Sequence, residues 1–323
     1  MFERNGRLVL AWTGVAALAL VSLTIGAGTL HLEELFSGSG GNASALLRES
    51  RVPRTLALVL AGSSLAIAGL IMQMIARNRF VEPATAGTAE SAALGVLAVM
   101  LLAPGISVLA RMLVAGGFAL AGTFLFLLIL RRIPHRSALV VPLVGLMLGG
   151  VIDSITTFFA YRYDLLQSIS TWMAGDFSGV LAGRYELLWI GFALAVAGYL
   201  AADRFTAIGI GETFAVNVGI NYNRVVAIGL LIVSLITASV VVTVGLIPFV
   251  GLIAPNLVAM RMGDNARRSL PWVALTGAAL ILLCDIAGRV VRYPYEIPVG
   301  TVVGVVGGAV FLALLLRRER QVG

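Results

Sequence analysis

Lysine is absent from this chain of 323 residues, and all 23 basic residues are arginine. A Walker A phosphate loop needs a lysine on the phosphates, so the chain cannot by itself be a P-loop ATPase. One cysteine, Cys284, and two histidines, His31 and His135, are too few for a zinc or haem site with any standard ligand set. A single cysteine also excludes a disulfide within the chain.

Charge is scarce as well: 12% of residues are charged, 59% are hydrophobic, and the mean hydropathy is +0.99. Soluble domains carry charge on about a quarter of their residues, so the composition predicts an integral membrane protein. The apolar stretches do not alternate as barrel strands do, which favours an all-α fold. Stretches of roughly 17–25 residues predict ten spans, at residues 8–30, 55–76, 86–103, 108–130, 139–160, 186–202, 225–247, 248–262, 270–291 and 297–316.

The arginines are unevenly divided between the two sides of these spans. With the N-terminus inside, fifteen arginines lie on the cytoplasmic side and eight lie outside. The positive-inside rule therefore predicts that both termini are cytoplasmic. Arginines facing anionic lipid also explain the isoelectric point near 10.3 better than nucleic-acid binding does. We expect one transmembrane domain over residues 1–323, with short surface helices in the outer segment 161–186.

Two proline-interrupted stretches occupy corresponding places in the two halves. "RNRFVEPATAGTAESAALG" follows the second span, and "GLIPFVGLIAPNLVAMRMG" follows the seventh. Because the spans before them run in opposite directions, the halves would be inverted repeats, a frequent plan among transporters. The alternative is that proline and glycine are simply commoner in membrane helices.

Few acids fall within predicted spans. Asp153 and Asp285 do so clearly, and Glu90 lies near the start of a broken one. That is sparse for a proton- or sodium-coupled carrier, which needs a relay or an ion cage. Asp285 precedes Arg289 by one helical turn, which predicts a structural ion pair. With no His-Glu-x-x-His motif and both histidines in loops, an enzyme is not expected.

Three arginines, Arg51, Arg54 and Arg289, lie at outer helix ends, where the positive-inside rule disfavours them. Arginine binds carboxylates through two parallel hydrogen bonds, so these residues fit an acidic partner. Anchoring to lipid headgroups explains them equally well, and composition leaves both interpretations open.

The stretch "RVPRTLALVLAGSSLAIAGLIMQMIARNRFVEP" resembles the second-helix signature of FecCD-family permeases. "GLIPFVGLIAP", "SLPWVALTGAALILLCDIAGR" and "EIPVGTVVGVVGGAVFLALLLRR" resemble later blocks of the family, in order, over nearly the whole chain from Arg51. The resemblance implies the permease subunit of a type II ABC importer in the bacterial cytoplasmic (inner) membrane. Such a permease pairs with a second permease subunit, as a homodimer or a related heterodimer.

The resemblance also implies the other partners and the cargo. Two cytoplasmic ATPase subunits would bind ATP and Mg, and an extracytoplasmic binding protein would deliver an iron chelate, haem or cobalamin. Asn256, where the family usually has histidine, and "EPATAGTAESAALG" favour the branch that carries ferric catecholate or mixed siderophores. No cofactor is expected in this chain.

Roles for particular residues follow from the same resemblance. The outer arginines Arg51, Arg54 and Arg289 match positions that meet acidic residues of the binding protein. Positions matching the cytoplasmic gate are Asn78, Phe80 and Ser137, although phenylalanine replaces the usual leucine at residue 80. The segment 206–224, "TAIGIGETFAVNVGINYNR", matches the segment that docks into the ATPase, through Gly211, Glu212, Ala215 and Gly219. A short helix is predicted to begin at Glu212, because acids favour helix N-termini.

Two rival functions remain. A secondary transporter would use the same inverted-repeat plan with an ion gradient in place of ATP. A membrane scaffold that transports nothing is the third possibility.

Overall fold

The computed structural model describes residues 2–26, 41–133, 140–263 and 265–322. Throughout these ranges the regular structure is helical, and no β-strand occurs in them. The predicted all-α class is therefore confirmed.

The first half of the chain forms helices of very different length: α1 Phe2–Thr24, α2 Gly41–Leu46, α3 Val52–Ala76, α4 Thr88–Leu102, α5 Val108–Arg131, α6 Val140–Arg162 and α7 Leu166–Trp172. A π-helical turn, Leu47–Arg51, joins α2 to α3, and a 3-10 turn, Ala84–Ala86, precedes α4. The second half contains α8 Leu187–Leu200, α9 Ala202–Ile210, α10 Glu212–Asn217, α11 Tyr222–Val244, α12 Val250–Met262, α13 Ala266–Val290 and α14 Val299–Val322.

Six helices of the described part are long and apolar enough to cross a membrane, and α8 with α9 forms a seventh candidate as a pair bent by 64°. The remaining predicted spans coincide with shorter apolar helices: α4, α12 and the Val299–Leu314 part of α14. With 15 and 13 residues, α4 and α12 rise only about 22 and 20 Å, short of the ~30 Å hydrocarbon core. The ten-span topology with cytoplasmic termini remains a prediction.

Helix α3 runs through the centre of the bundle, and 89% of an 18-residue apolar stretch of this segment is buried. A helix that is apolar on all sides is expected to be covered on all sides. Its glycines let neighbouring backbones approach: a Cβ on Gly62 would lie 2.6 Å from the carbonyl oxygen of Gly277 in α13. A Cβ on Gly69 would overlap the carbonyl oxygen of Gly251 in α12. Backbone contacts of this kind pack helices without a hydrophobic driving force between them.

The two proline-interrupted stretches do break the helical structure. Residues 77–87 separate α3 from α4, and residues 245–249 separate α11 from α12. Positive φ angles at Gly87 (73°) and Phe249 (66°) mark the points where the half-helices begin. Gly251 packs on Gly69, about 10 Å along α3 from its end. Helix α12 therefore begins inside the bundle rather than at its surface.

The two polar segments have the predicted short helices. Segment 161–186 contains α7 followed by turns, and α10 begins at Glu212 as expected. The second segment differs in one respect, since α9 continues through Thr206 to Ile210. Only Gly211 separates α9 from α10, so the linker before the short helix is a single residue.

Candidate functional site

An ionic cluster joins α3, α13 and the segment after α13. We call Arg54, Asp285, Arg289 and Glu296 the outer ionic cluster, after the side on which the predicted topology places it. Arg54 Nη2 lies 2.7 Å from Asp285 Oδ1, and Arg54 Nη1 lies 2.7 Å from Glu296 Oε2. Arg289 pairs with the other oxygen of Asp285. The predicted ion pair between Asp285 and Arg289 is confirmed, and Arg54 shares its carboxylate.

Two outer arginines also hold the end of α1. Arg51 donates to the Leu23 carbonyl at 2.8 Å, and Arg289 donates to the Ser22 carbonyl at 2.9 Å. The last carbonyls of a helix have no partner within it, so these contacts satisfy acceptors that would otherwise be bare. Arg51 is 7% exposed, Arg289 is 5% exposed, and the Arg54 side chain is 12% exposed. The structure thus brings the three predicted docking arginines together, with their charges directed mainly into the protein.

The carboxylate of Glu82 caps the half-helix α12. Glu82 Oε1 accepts a hydrogen bond from the Phe249 amide at 2.7 Å, and the residue is 2% exposed. The first amides of a helix lack internal partners, and a negative charge near them is stabilising. Glu90 occupies the first turn of α4 in a similar way. Both half-helices that begin inside the bundle therefore begin beside a carboxylate, and Glu82 links the two broken segments.

Two side-chain amides tie α3 and the segment after it to α12. Gln73 Nε2 donates to the Gly251 carbonyl at 3.2 Å, and Asn256 Nδ2 donates to the Arg79 carbonyl at 2.7 Å. Gln73 is 6% exposed and Asn256 is 8% exposed, so both amides are shielded from competing water. The position of segment 77–87 is consequently set by α12 as well as by α3.

The predicted gate residues lie in this same region. Asn78 Oδ1 accepts from the Phe80 amide at 2.8 Å, which closes a local turn. The Phe80 ring packs edge-on against Phe311 of α14, with centroids 5.9 Å apart, and Phe311 stacks on Phe249 at 6.2 Å. We call Phe80, Phe249 and Phe311 the aromatic triad. Ser137 lies outside the described residues. The gate remains a prediction, now with α14 as the element that Phe80 contacts.

The predicted coupling residues lie within α10 or at its ends. Gly211 (φ 151°) precedes the helix and Gly219 (φ 79°) follows it, both in backbone conformations that favour glycine. Glu212 is exposed, whereas Ala215 is fully buried. A larger side chain at residue 215 would therefore disturb the packing of α10 on its own chain before it met any partner.

Apolar side chains are exposed around α10. Ile210, Phe214 and Val218 recur at intervals of four residues and are 61%, 44% and 52% exposed. A cavity of about 430 Å³ adjoins this segment, lined in part by Arg77 and Glu212. Exposed apolar residues beside a polar cavity are typical of a protein-protein contact.

The other two acids noted in the sequence lie on or beside α6. Asp153 is exposed on that helix, and the Glu90 carboxyl carbon lies 3.3 Å from where a Cβ on Gly149 would be. A charged side chain at the bilayer centre costs about 2.5–3.5 kcal/mol on insertion scales. Asp153 therefore indicates a side of α6 that does not face lipid.

Sequence reasoning assigned no role to Glu82, Gln73 or the ring of Phe311. The local sequence could have indicated a role for Glu82, because an acid inside a proline-broken membrane segment needs a partner. Helix amides can supply one. Gln73 and Phe311 carry no such signal, since each acts on a residue far away in the chain.

Apolar helices packed around a central helix, with two half-helices that start inside the bundle, form the architecture of a polytopic membrane protein. The chain belongs to the FecCD transport family, which matches residues 14–317.

Several curated relatives match over most of their length. The petrobactin import system permease YclN of Bacillus subtilis is 52% identical over 302 residues, 94% of this chain and 95% of the relative. The ferric-anguibactin transport permease FatD of Vibrio anguillarum is 46% identical over 268 residues, 83% of this chain and 85% of the relative. An inward-facing metal-chelate type ABC transporter superposes with a TM-score of 0.81 at 23% identity, covering 97% of this chain and 99% of that one, which shows the shared fold.

Proposed function

We propose that this chain is the membrane-spanning permease subunit of an ABC importer that takes up ferric siderophore. The observation that carries the proposal is its 52% identity, over almost its whole length, to a petrobactin import permease. Chelated iron already has its ligands, so the permease needs no metal-binding residues of its own. The chelate then passes between permease subunits without bonding to the protein.

The proposed topology has ten spans with inverted-repeat halves and both termini in the cytoplasm of a bacterial cell. It is supported by the arginine bias and by the two half-helices α4 and α12. Each half-helix follows a break and begins beside a carboxylate, as corresponding elements of two repeats would. A single permease domain over residues 1–323 accommodates all of these elements.

The energy source in this proposal is ATP, bound with Mg by two cytoplasmic ATPase subunits. Glu212 and Ala215 of α10, flanked by Gly211 and Gly219, form the docking helix in this proposal. Phe214, exposed on the same helix, supplies apolar contact area at the expected interface. The neighbouring cavity, of about 430 Å³, has room for side chains of the partner.

An extracytoplasmic binding protein would dock at the outer ionic cluster. Arg54 is the most exposed of the three predicted docking arginines, and its charge is compensated by Asp285 and Glu296. Acidic residues of the binding protein would compete for Arg54 with Glu296, whose side chain is 25% exposed. Arg51 and Arg289 would support this contact by holding α1 against α3 and α13.

At the cytoplasmic side, Asn78 and Phe80 with Ser137 would form the gate. The aromatic triad couples Phe80 to α14, so movement of α14 would move the gate. A second permease subunit, identical or related, would complete the passage.

Reconstitution tests the function directly. Proteoliposomes with the permease, ATPase and binding-protein subunits should accumulate radioactive iron from ferric petrobactin. They should do so only when ATP is present on the side of the membrane where the ATPase subunits lie. Permease alone, under a proton or sodium gradient, is the control. Accumulation by the permease alone would establish the secondary transporter instead. If iron accumulated in neither case, the membrane scaffold that transports nothing would be favoured.

A further inference from the structure

Asp153 is an exposed acid near the middle of an otherwise apolar helix. It is residue 14 of the 23 in α6. Among the described residues it makes no hydrogen bond or ion pair, although its charge lies near that of Glu90. Helical periodicity places Leu146, Gly150 and Thr157 on the same side of α6, and all three are exposed. The acid therefore belongs to a continuous open side of the helix.

This open side lies next to the broken segments. Gly87, at the end of segment 77–87, lies against Gly149 on the buried side of α6. Phe311 of α14 contacts Phe80 of the first broken segment and Phe249 of the second. Helix α6 thus packs beside the start of α4, and α14 packs beside the start of α12. We call the exposed side of α6 the open face.

The glycines of α14 differ in how closely the rest of the chain packs on them. Their spacing suggests a close helix contact, and a Cβ on Gly300 would indeed lie 2.6 Å from the Ala174 carbonyl oxygen. At Gly304 the nearest atom would be 3.8 Å away, and at Gly308 nothing lies within 4 Å. Gly307, between them, packs on Phe249, where a Cβ would lie 2.6 Å away, so α14 has room at Gly308 but is covered at Gly307.

Lipid is a poor neighbour for a face that carries Asp153. An ionised carboxylate in hydrocarbon loses its hydration without compensation, so such residues face water or a polar partner. Glu90 adds a second acid immediately behind the first. Its carboxyl group packs on Gly149, one turn before Asp153, and its Oε2 atom is buried without a hydrogen-bond partner in the described part of the chain.

We propose that Asp153 lines the translocation passage and sets its preference for the charge of the chelate. This inference rests on the proposed function, because only a transported chelate would sense the residue. A carboxylate at mid-membrane repels anionic groups and attracts ammonium groups. In a pair of identical subunits, a second Asp153 across the passage would double the effect.

The test compares two ferric chelates that differ by one charge. The probes are a synthetic ferric catecholate bearing a free carboxylate and the same complex with that carboxylate amidated. At about 12 Å and an effective dielectric of about 20, removing one charge changes the relative rate roughly tenfold. We expect Asp153→Asn to raise the ratio of anionic to amidated uptake by about fivefold to tenfold. Asp153→Glu, and Asp164→Asn in the exposed segment after α6, should leave the ratio within twofold.

Exposure to water is measured independently of transport. Cys284, the only cysteine, is buried, so a Cys284→Ser background permits single-cysteine labelling. Asp153→Cys in that background should react with the cationic reagent 2-(trimethylammonium)ethyl methanethiosulfonate, and Leu128→Cys on exposed α5 surface should not.

Each outcome decides something different. An unchanged uptake ratio in Asp153→Asn would overturn the charge preference, and an unreactive Asp153→Cys would overturn the passage lining. Failure of the wild-type assembly to take up either chelate would refute the proposed function, while the labelling would still decide whether residue 153 faces water.

Discussion

Replacing Asp285 with alanine removes the carboxylate that Arg54 and Arg289 share. Asp285 has a side chain with no exposed surface, and Arg289 is 5% exposed, so water cannot take over the lost contacts. Breaking a buried ion pair by removing one partner costs about 3–5 kcal/mol, because the remaining charge is left uncompensated. Helices α1, α3 and α13 meet at this point, so the loss should be felt by the whole bundle.

The assay is thermal unfolding of the purified permease in detergent, at one heating rate, since such unfolding is commonly irreversible. At about 2 °C per kcal/mol, the low end of the range for large domains, the apparent midpoint should fall by roughly 6–10 °C. Asp203→Ala is the matched control, because its partner Arg267 is on the surface and both side chains are about 60% exposed. Water and salt screen an exposed pair, so the control should shift the midpoint much less than Asp285→Ala does.

The same variant separates packing from docking. Asp285→Ala leaves the outer ionic cluster with one excess positive charge, so an acidic binding protein should associate at least as tightly as with the wild type. Equal midpoints for Asp285→Ala and Asp203→Ala would refute the reasoning about buried charge. A stable Asp285→Ala variant that bound its partner more weakly would assign Asp285 to the docking surface itself.

Three further predictions concern the remaining sites. Glu82→Ala should lower uptake per folded permease by about tenfold or more, since a charged hydrogen bond is worth about 1.5–3 kcal/mol. Glu82→Gln keeps an oxygen for the α12 amide and should retain most of the uptake. Equal losses in the two variants would contradict the capping role. Phe214→Glu should release the ATPase subunits in a pull-down and abolish uptake, whereas Thr213→Glu, an equally charged change at the adjacent exposed position, should retain them; retention by both would remove α10 as the coupling helix. Arg54→Gln should weaken binding-protein association and reduce its salt dependence, with exposed Arg48→Gln as the control, and equal salt dependence in the wild type and Arg54→Gln would place docking elsewhere.

Features that depend on local sequence were predictable. Hydropathy identified a helical membrane protein, because burial of an apolar segment in lipid is decided by the segment's own composition. Proline and glycine located the breaks before α4 and α12, and Glu212 located the start of α10, because each acts on the backbone around it. The ion pair between Asp285 and Arg289 was predictable for the same reason, since one helical turn separates the two residues.

Contacts between distant residues were not predictable in this way. The arginines at outer helix ends were expected to face a partner, but Arg51 and Arg289 are directed toward the end of α1, whose carbonyl groups need donors. Similarly, Glu82 caps α12 through the amide of Phe249, which lies 167 residues later in the chain. Nothing in the composition of either segment indicates which of the many amides or carbonyls it will meet.

The sequence by itself determined that this chain crosses a membrane as helices, that two of them are broken, and that it has no lysine for an ATPase site. These properties follow from residue composition and backbone chemistry within short segments. Only the tertiary structure decided which charges are neutralised inside the protein and which, such as Asp153, are left on an open face. That distinction depends on which helix sides meet, and helix packing is set by side chains and close backbone contacts from distant parts of the chain.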